Sequence, residues 1–280
     1  MKSKRMTVHN SRVHLMRGDC IEGMDSIEAA SIDCILCDPP YGTTDAPWDT
    51  LIPLDAMWEQ LWRVLKPNGA ILLFAGQPFT SQLIMSQVNH YRYNWYWNKR
   101  KAANFLFMNN MPGKLFEDVC VFYKAQPTYN PQKILNTKRE MRHTYKPTTN
   151  SERSHLLMKS MPVKSGLAGK KYEADKLLPN NILEFSKPAV PVHPTQKPVE
   201  LLKYLIRTYT NKGETVLDFT MGSGSTGVAC AMLSRNFVGI EKKYRYYKVA
   251  KRRIQNLEGD GDTAEPQNNA NMAKIFTAPR

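Results

Sequence analysis

The chain has 280 residues, 42% of them hydrophobic, and no run of about 18 apolar residues, so no membrane-spanning helix is expected. The start of the chain, residues 1–5, has no apolar core behind it and does not read as a secretory signal, and five scattered cysteines read as reduced thiols of a cytoplasmic protein. The formal charge is +14, and residues 99–176 hold 16 Lys+Arg against 6 Asp+Glu with aromatics interleaved, which suits a polyanion that carries stackable bases.

In chain order, residues 13–17 alternate as a strand and turn at Gly18-Asp19-Cys20, and a short helix follows over 21–27. Residues 32–37 are an apolar run cut off by Asp38-Pro39-Pro40-Tyr41. Proline lacks a donor and fixes φ, so the strand ends there and a rigid polar group stands at its carboxyl end, where open α/β sheets bind ligands. Residues 53–65 have helical spacing and stop at Pro67-Asn68-Gly69; 70–76 is a buried strand, 78–89 a helix, and 93–97 and 118–123 a strand pair. From 126 to about 191 the periodicity fades into a Lys-, Asn-, Ser- and Pro-rich insertion. Regular elements return as a helix over 199–206, a strand over 215–219, a helix over 225–234, a strand over 236–241 and a basic helix over 244–257; the tail beyond is polar. Strands alternating with helices imply a mostly parallel, doubly wound sheet.

Gly222-Ser223-Gly224-Ser225-Thr226-Gly227 lies between a strand and a helix and fits G-x-G-x-x-G, and Glu241 ends the next strand, placed to accept hydrogen bonds from a ribose. Together they suggest a nucleoside-containing cofactor without choosing between a dinucleotide and S-adenosylmethionine. The loop's late position and the lack of a hydride-transfer site weigh against an oxidoreductase. Asp38-Pro39-Pro40-Tyr41 has another logic. The lone pair of a base's exocyclic amine is delocalised into the ring, so a site that methylates it should accept both amine hydrogens, one on a carboxylate and one on a proline-held carbonyl, with an aromatic ring to stack on the base. Cys34 and Cys37 form C-x-x-C, but residues three apart on a strand point to opposite faces, so no metal or redox site is expected.

Taken together, Gly18-Asp19-Cys20, Asp38-Pro39-Pro40-Tyr41, His193-Pro194-Thr195-Gln196-Lys197-Pro198, Asp218 to Thr226 and Phe237-Val238-Gly239-Ile240-Glu241 resemble the beta group of amino-directed DNA methyltransferases, which act on adenine N6 or cytosine N4. The resemblance implies a circularly permuted, Rossmann-like methyltransferase fold over residues 12–258. Its sheet would be seven-stranded and mostly parallel with one antiparallel strand, with 93–97 and 118–123 as the edge pair and 126–191 as an inserted target-recognition region. It implies that Asp38, Pro39, Pro40 and Tyr41 hold and activate a flipped base. Asp19, Cys20, Thr195, Lys197, Asp218, Phe219, Gly222, Ser223, Gly224, Ser225, Thr226 and Glu241 would bind S-adenosylmethionine, with Thr195 and Lys197 on its carboxylate. Lys99, Arg100 and Lys101 are phosphate candidates, and Trp95 and Trp97 read as core rather than as stacking platforms. The loop departs from the family's Asp-Pro-Phe, having Asp218-Phe219-Thr220-Met221. Asp at the head of the tetrapeptide favours adenine within the family; cytosine N4 and a non-catalytic DNA-binding protein are the alternatives. Dimers are frequent in the family, so a homodimer is compatible with the resemblance. A partner restriction nuclease would be a separate chain, since no nuclease signature is present here.

Overall fold

The computed structural model describes residues 2–46, 49–102, 104–135, 176–188 and 196–258. Its backbone divides into two compact units, Met1–Gln132 with Asn180–Pro266 and Lys133–Pro179 with Gln267–Arg280. In the second unit the described residues include one short antiparallel pair, β7 (Ile134–Leu135) and β8 (Lys176–Leu177). The expected tail beyond residue 258, and most of the expected insertion, lie outside the described residues.

The first unit is built on one sheet. Its strands are β1 (Lys2–Val8), β2 (Ser11–Arg17), β3 (Ile32–Cys37), β4 (Leu65–Ala75), β5 (Tyr91–Asn98), β6 (Phe116–Phe122), β9 (Ile182–Glu184), β10 (Thr215–Asp218) and β11 (Asn236–Glu241). They lie in the order β1-β2-β11-β10-β3-β4-β6-β5-β9. From β2 to β4 every pairing is parallel, and β6 runs antiparallel to both β4 and β5. Seven strands with a single reversed one are therefore present as expected, extended at each end by β1 and β9. The chain places β3 before β10, yet the two are neighbours, and on either side of them the chain winds outward in opposite directions. Such a switch point opens a crevice at the carboxyl ends of the strands.

The apolar residues split by strand parity into two cores, one on each face. Cys34, Leu36, Leu72, Phe74, Trp95, Trp97, Val119 and Val121 pack on one side, under α4 (Val199–Tyr209), α5 (Ser225–Met232) and α6 (Tyr244–Gln255). Ile35, Cys37, Ile71, Leu73, Cys120 and Phe122 pack on the other, under α1 (Cys20–Asp25), α2 (Leu54–Val64) and α3 (Phe79–Ser86). Cys34 and Cys37 thus sit in different cores, as strand alternation requires. Trp95 and Trp97 are buried, and their indole N–H groups donate to the Tyr209 hydroxyl at 2.7 Å and the Phe185 carbonyl at 2.7 Å.

Beyond shifts of two or three residues at other helix ends, four details differ from the sequence reading. The β5–β6 pair is not the edge, because β9, from the stretch read as an insertion, hydrogen-bonds outside β5. β1 was not anticipated: three of its seven residues are charged and five are exposed, and it is held by backbone pairing to β2 rather than by burial. β4 begins at Leu65, directly after α2, and runs through Pro67-Asn68-Gly69 with a register shift opposite Ile32 and Cys34. The expected helix over 78–89 is shorter, Phe79–Ser86.

Candidate active site

Because β2, β3, β4, β5, β10 and β11 point the same way, their last residues share one edge of the sheet; β6, running backwards, brings its first residues to that edge too. A cavity of about 1190 Å³ opens there. Its wall includes Asp19, Asp38, Tyr41, Lys197, Gly222 and Glu241. Of the other expected residues, Cys20, Pro39, Pro40, Lys99, Asp218, Phe219, Ser223, Ser225 and Thr226 also line it, whereas Gly224, Arg100 and Lys101 do not. Thr195, with His193, lies outside the described residues.

Strand parity explains what surrounds Asp38. Cys34 and Leu36 face the first core, so Asp38, two residues on, points the same way beyond the strand end. Trp95 and Trp97 lead by the same step to Lys99, and Val121 and Val119 lead back to Glu117. Lys99 meets one oxygen of Glu117, and Asp38 and the other oxygen of Glu117 meet Lys197. Its ammonium lies 2.9 Å from Asp38 Oδ2 and 3.0 Å from Glu117 Oε2, over the rings of Phe74 and Trp97. Lys99 Nζ is 3.1 Å from Glu117 Oε1, and the Tyr41 hydroxyl donates to Asp38 Oδ1 at 2.7 Å. Two cations and two carboxylates therefore alternate in a row that buries no net charge, the arrangement that low-dielectric surroundings require.

The charge states follow. Burial raises the Asp38 pKa, and Lys197 opposes that rise. Burial alone would lower Lys197, but Asp38 and Glu117 hold it above the ordinary lysine value. Glu117 stays below the usual carboxylate range despite its burial, because Lys197 and Lys99 both face it. Tyr41 is kept a neutral donor by burial and by Asp38.

This geometry revises two expected roles. Lys99 is not a surface phosphate contact: it is 4% exposed and its ammonium is committed to Glu117. Lys197 is engaged by the Asp38 and Glu117 carboxylates, so a cofactor carboxylate is not needed to explain its position. Arg100 is exposed and pairs with Glu184 at 3.1 Å; Lys101 is exposed.

The loop after Asp38 is held by a residue that sequence reasoning missed. Asp49 accepts the backbone N–H groups of Tyr41, Gly42, Thr43 and Thr44 and the Thr44 hydroxyl, at 2.7 to 3.0 Å. The Tyr41 ring stacks on Phe79, with centroids 5.2 Å apart.

The glycine loop is built from the other side of the switch point. Asp218 ends β10, buried, and accepts from the Thr226 hydroxyl at 2.6 Å and the Thr220 N–H at 3.2 Å; burial raises its pKa to about 6. Gly222 and Gly224 have φ of +52° and +78°, a left-handed path that other residues resist. A Cβ on Gly224 would lie 2.7 Å from that of Ala250. Glu241 ends β11, and its two oxygens accept the N–H groups of Gly222 at 3.0 Å and Lys243 at 2.6 Å. Arg253, also unanticipated, reaches from α6 to the Ser223 carbonyl and to the hydroxyls of Ser223 and Ser225. Asp19 caps α1 through the Ile21 N–H at 3.0 Å. Cys20 behind it is a thiol raised to about 11 by burial and by Asp19.

The two halves touch. The Thr220 hydroxyl donates to the Asp38 carbonyl at 2.9 Å and lies 2.9 Å from Cys37 Sγ, so residues 182 positions apart share one hydrogen bond. A pair of carboxylates, one beside a lysine and one against a glycine loop, thus faces a single cavity large enough for two organic groups.

Comparison with known proteins bears on this arrangement. The family model described as DNA methylase, of the N6/N4 type, matches residues 32–252. The type II methyltransferase M.HpaI of Haemophilus parainfluenzae is 28% identical over 263 residues, covering 86% of this chain and 73% of that one. Among solved structures, the M1.HpyAVI–SAM complex has a TM-score of 0.57 at 22% identity over 86% of this chain and 98% of the other. The PvuII DNA methyltransferase, described as cytosine-N4-specific, has 0.62 at 15% identity over 97% and 95%. These two likenesses are of fold.

Proposed function

The chain belongs to the N6/N4 DNA methylase family, and from that premise we propose that it transfers the methyl group of S-adenosylmethionine to the N6 amine of an adenine turned out of DNA. The observation that carries the reading is the shared cavity, with Asp38 on one wall and the Gly222–Glu241 arrangement on the other, joined through Thr220.

The residues present suit that cofactor. Each Glu241 oxygen takes one backbone N–H and retains a second lone pair, which leaves the carboxylate free to accept vicinal ribose hydroxyls. Left-handed Gly222, on the cavity wall, lets the backbone come close to a ligand without a Cβ in the way, and left-handed Gly224 lets the loop pack against Ala250 of α6. Asp19 and Cys20, at the end of β2, provide a polar and an apolar contact for an adenine ring. The cofactor, when bound, supplies an electrophilic sulfonium methyl.

The rest is done by side chains of this chain. Asp38, with the Lys197 ammonium 2.9 Å away opposing the effect of its burial, accepts a hydrogen of the amine, and a carbonyl of the Pro39-Pro40 turn accepts the other. Those two bonds favour a pyramidal nitrogen whose lone pair points out of the ring plane. The Tyr41 hydroxyl and Lys197 each hold one carboxylate oxygen, so Asp38 cannot swing away. This is preorganised positioning, which lowers the barrier without reorganisation at the moment of reaction. Asp at the head of the tetrapeptide favours adenine; the fold likeness to a cytosine-N4 enzyme keeps N4 of cytosine as the second reading. Incubation with methyl-labelled S-adenosylmethionine and unmethylated DNA, then digestion to nucleosides and mass analysis, tests the proposal. Label on N6-methyl-2'-deoxyadenosine supports it, label on N4-methyl-2'-deoxycytidine selects the second reading, and no labelled nucleoside overturns both.

A further inference from the structure

Between β5 and β6 the chain forms a loop whose apolar side chains face outward. Asn104 closes it: its Oδ1 accepts the Lys114 N–H at 2.6 Å and its Nδ2 donates to the Pro112 carbonyl at 3.1 Å. At the base, the Lys99 N–H donates to the Leu115 carbonyl at 2.9 Å. The tip is one tight helical turn, Phe105–Phe107, and there Phe105, Leu106 and Phe107 are 70%, 75% and 60% exposed. Met108 and Met111 beside them are exposed as well. A backbone bonded to itself while displaying two phenylalanines and a leucine is not what folding alone would select, and contiguous exposed apolar patches mark contact surfaces.

Two observations identify the contact. The returning limb, Gly113 to Phe116, lines the same cavity as Asp38, so the loop that carries the tip is part of the cavity wall. Every charged residue from Lys99 to Phe116 is basic: Lys99 points inward, while Arg100, Lys101 and Lys114 lie at the surface. A second copy of this chain would set like charges against each other, whereas a polyanion with stacked apolar bases complements both the rim and the tip.

We propose that this loop is a DNA wedge: Phe105, Leu106 and Phe107 enter the base stack at the target and hold it open while the extruded base occupies the cavity, with Lys101 and Lys114 against the flanking phosphates. The proposal rests on the methyl-transfer reading above. A wedge offsets the cost of unstacking and unpairing, so it matters only where there is pairing to break.

That condition sets the test. Sequencing of plasmid DNA modified by the wild-type protein maps the modification site. Two duplexes are then made, one with the target paired and one with an abasic position opposite it. For the variant carrying Phe105→Ala with Phe107→Ala, kcat/KM should fall by about tenfold or more on the paired duplex and by less than about threefold on the abasic one. If that variant fails to fold, Leu106→Lys, a charge at the exposed tip, should give the same pattern. Equal losses on the two duplexes, or no loss on either, would overturn the wedge while wild-type transfer stands. Sedimentation showing a wild-type dimer that the variant has lost would overturn it in favour of a second copy. Absence of wild-type transfer to any DNA would overturn both this proposal and the reading of the site beneath it.

Discussion

Replacing Lys197 by methionine removes one cation and keeps most of its volume. The stem would still lie over Phe74 and Trp97, but Asp38 and Glu117 would face each other with Lys99 paired to Glu117 and the more distant Lys187 as the remaining cations. At 2.9 Å from Asp38, with an effective dielectric constant of about 20, the lost attraction is about 6 kcal/mol before the saved desolvation of the ammonium is subtracted. Breaking one member out of a buried pair leaves a net loss of about 3–5 kcal/mol. The variant can recover part of this by protonating Asp38, whose pKa burial already raises and which Lys197 no longer opposes. The sign follows from linkage: an acid whose folded pKa lies above its unfolded one binds its proton more readily in the folded state, and the stability it adds is lost as pH rises through the folded pKa. Urea unfolding should therefore show a larger deficit relative to wild type at about pH 8 than at about pH 5. Calorimetric affinity for S-adenosylmethionine should be retained, because the ammonium is committed to Asp38 and Glu117. A pH-independent deficit would refute the charge-row argument, and a collapse of cofactor affinity would return Lys197 to the cofactor carboxylate.

Three further outcomes are expected. Gly224→Ala must accept φ of +78° and a Cβ 2.7 Å from Ala250. It should lose about 2–4 kcal/mol of stability and bind the cofactor more weakly, read by urea unfolding and calorimetry; a wild-type midpoint would show that the loop can shift at no cost. Asp49→Ala leaves four backbone N–H groups of the 41–44 loop without their acceptor, so transfer should slow markedly while cofactor affinity, set on the other wall, holds; equal loss of both would mean that the loop supports the whole cavity. DNA affinity should fall linearly in a log–log plot against salt, as counterion release demands; a flat plot would contradict a phosphate-contacting surface.

The ends of strands were the most legible part of the sequence. Asp38, Asp218 and Glu241 each close an apolar run, and Pro39-Pro40 directly after the first and Gly222 shortly after the second announce a change of direction. Lys99 was legible in principle, since it continues the inward alternation of Trp95 and Trp97; its charge and its neighbours Arg100 and Lys101 outweighed parity. Glu117 carries no such signal, because a glutamate near a strand start looks like a solvated one until the sheet order places the reversed strand β6 beside β4 and β5. Asp49 and Arg253 act on loops through hydrogen bonds of no fixed spacing, and only the folded backbone reveals them. β1 escaped because its strand character comes from pairing with β2 rather than from hydrophobic pattern.

Asp38→Asn, followed through a single turnover at saturating cofactor, bears most directly on whether this carboxylate and this glycine loop serve one reaction. The account predicts a methyl-transfer step slowed by about 100-fold or more, with cofactor affinity equal to that of the wild type. A variant that transfers methyl groups at the wild-type rate, or one that fails only because it no longer binds the cofactor, would contradict it.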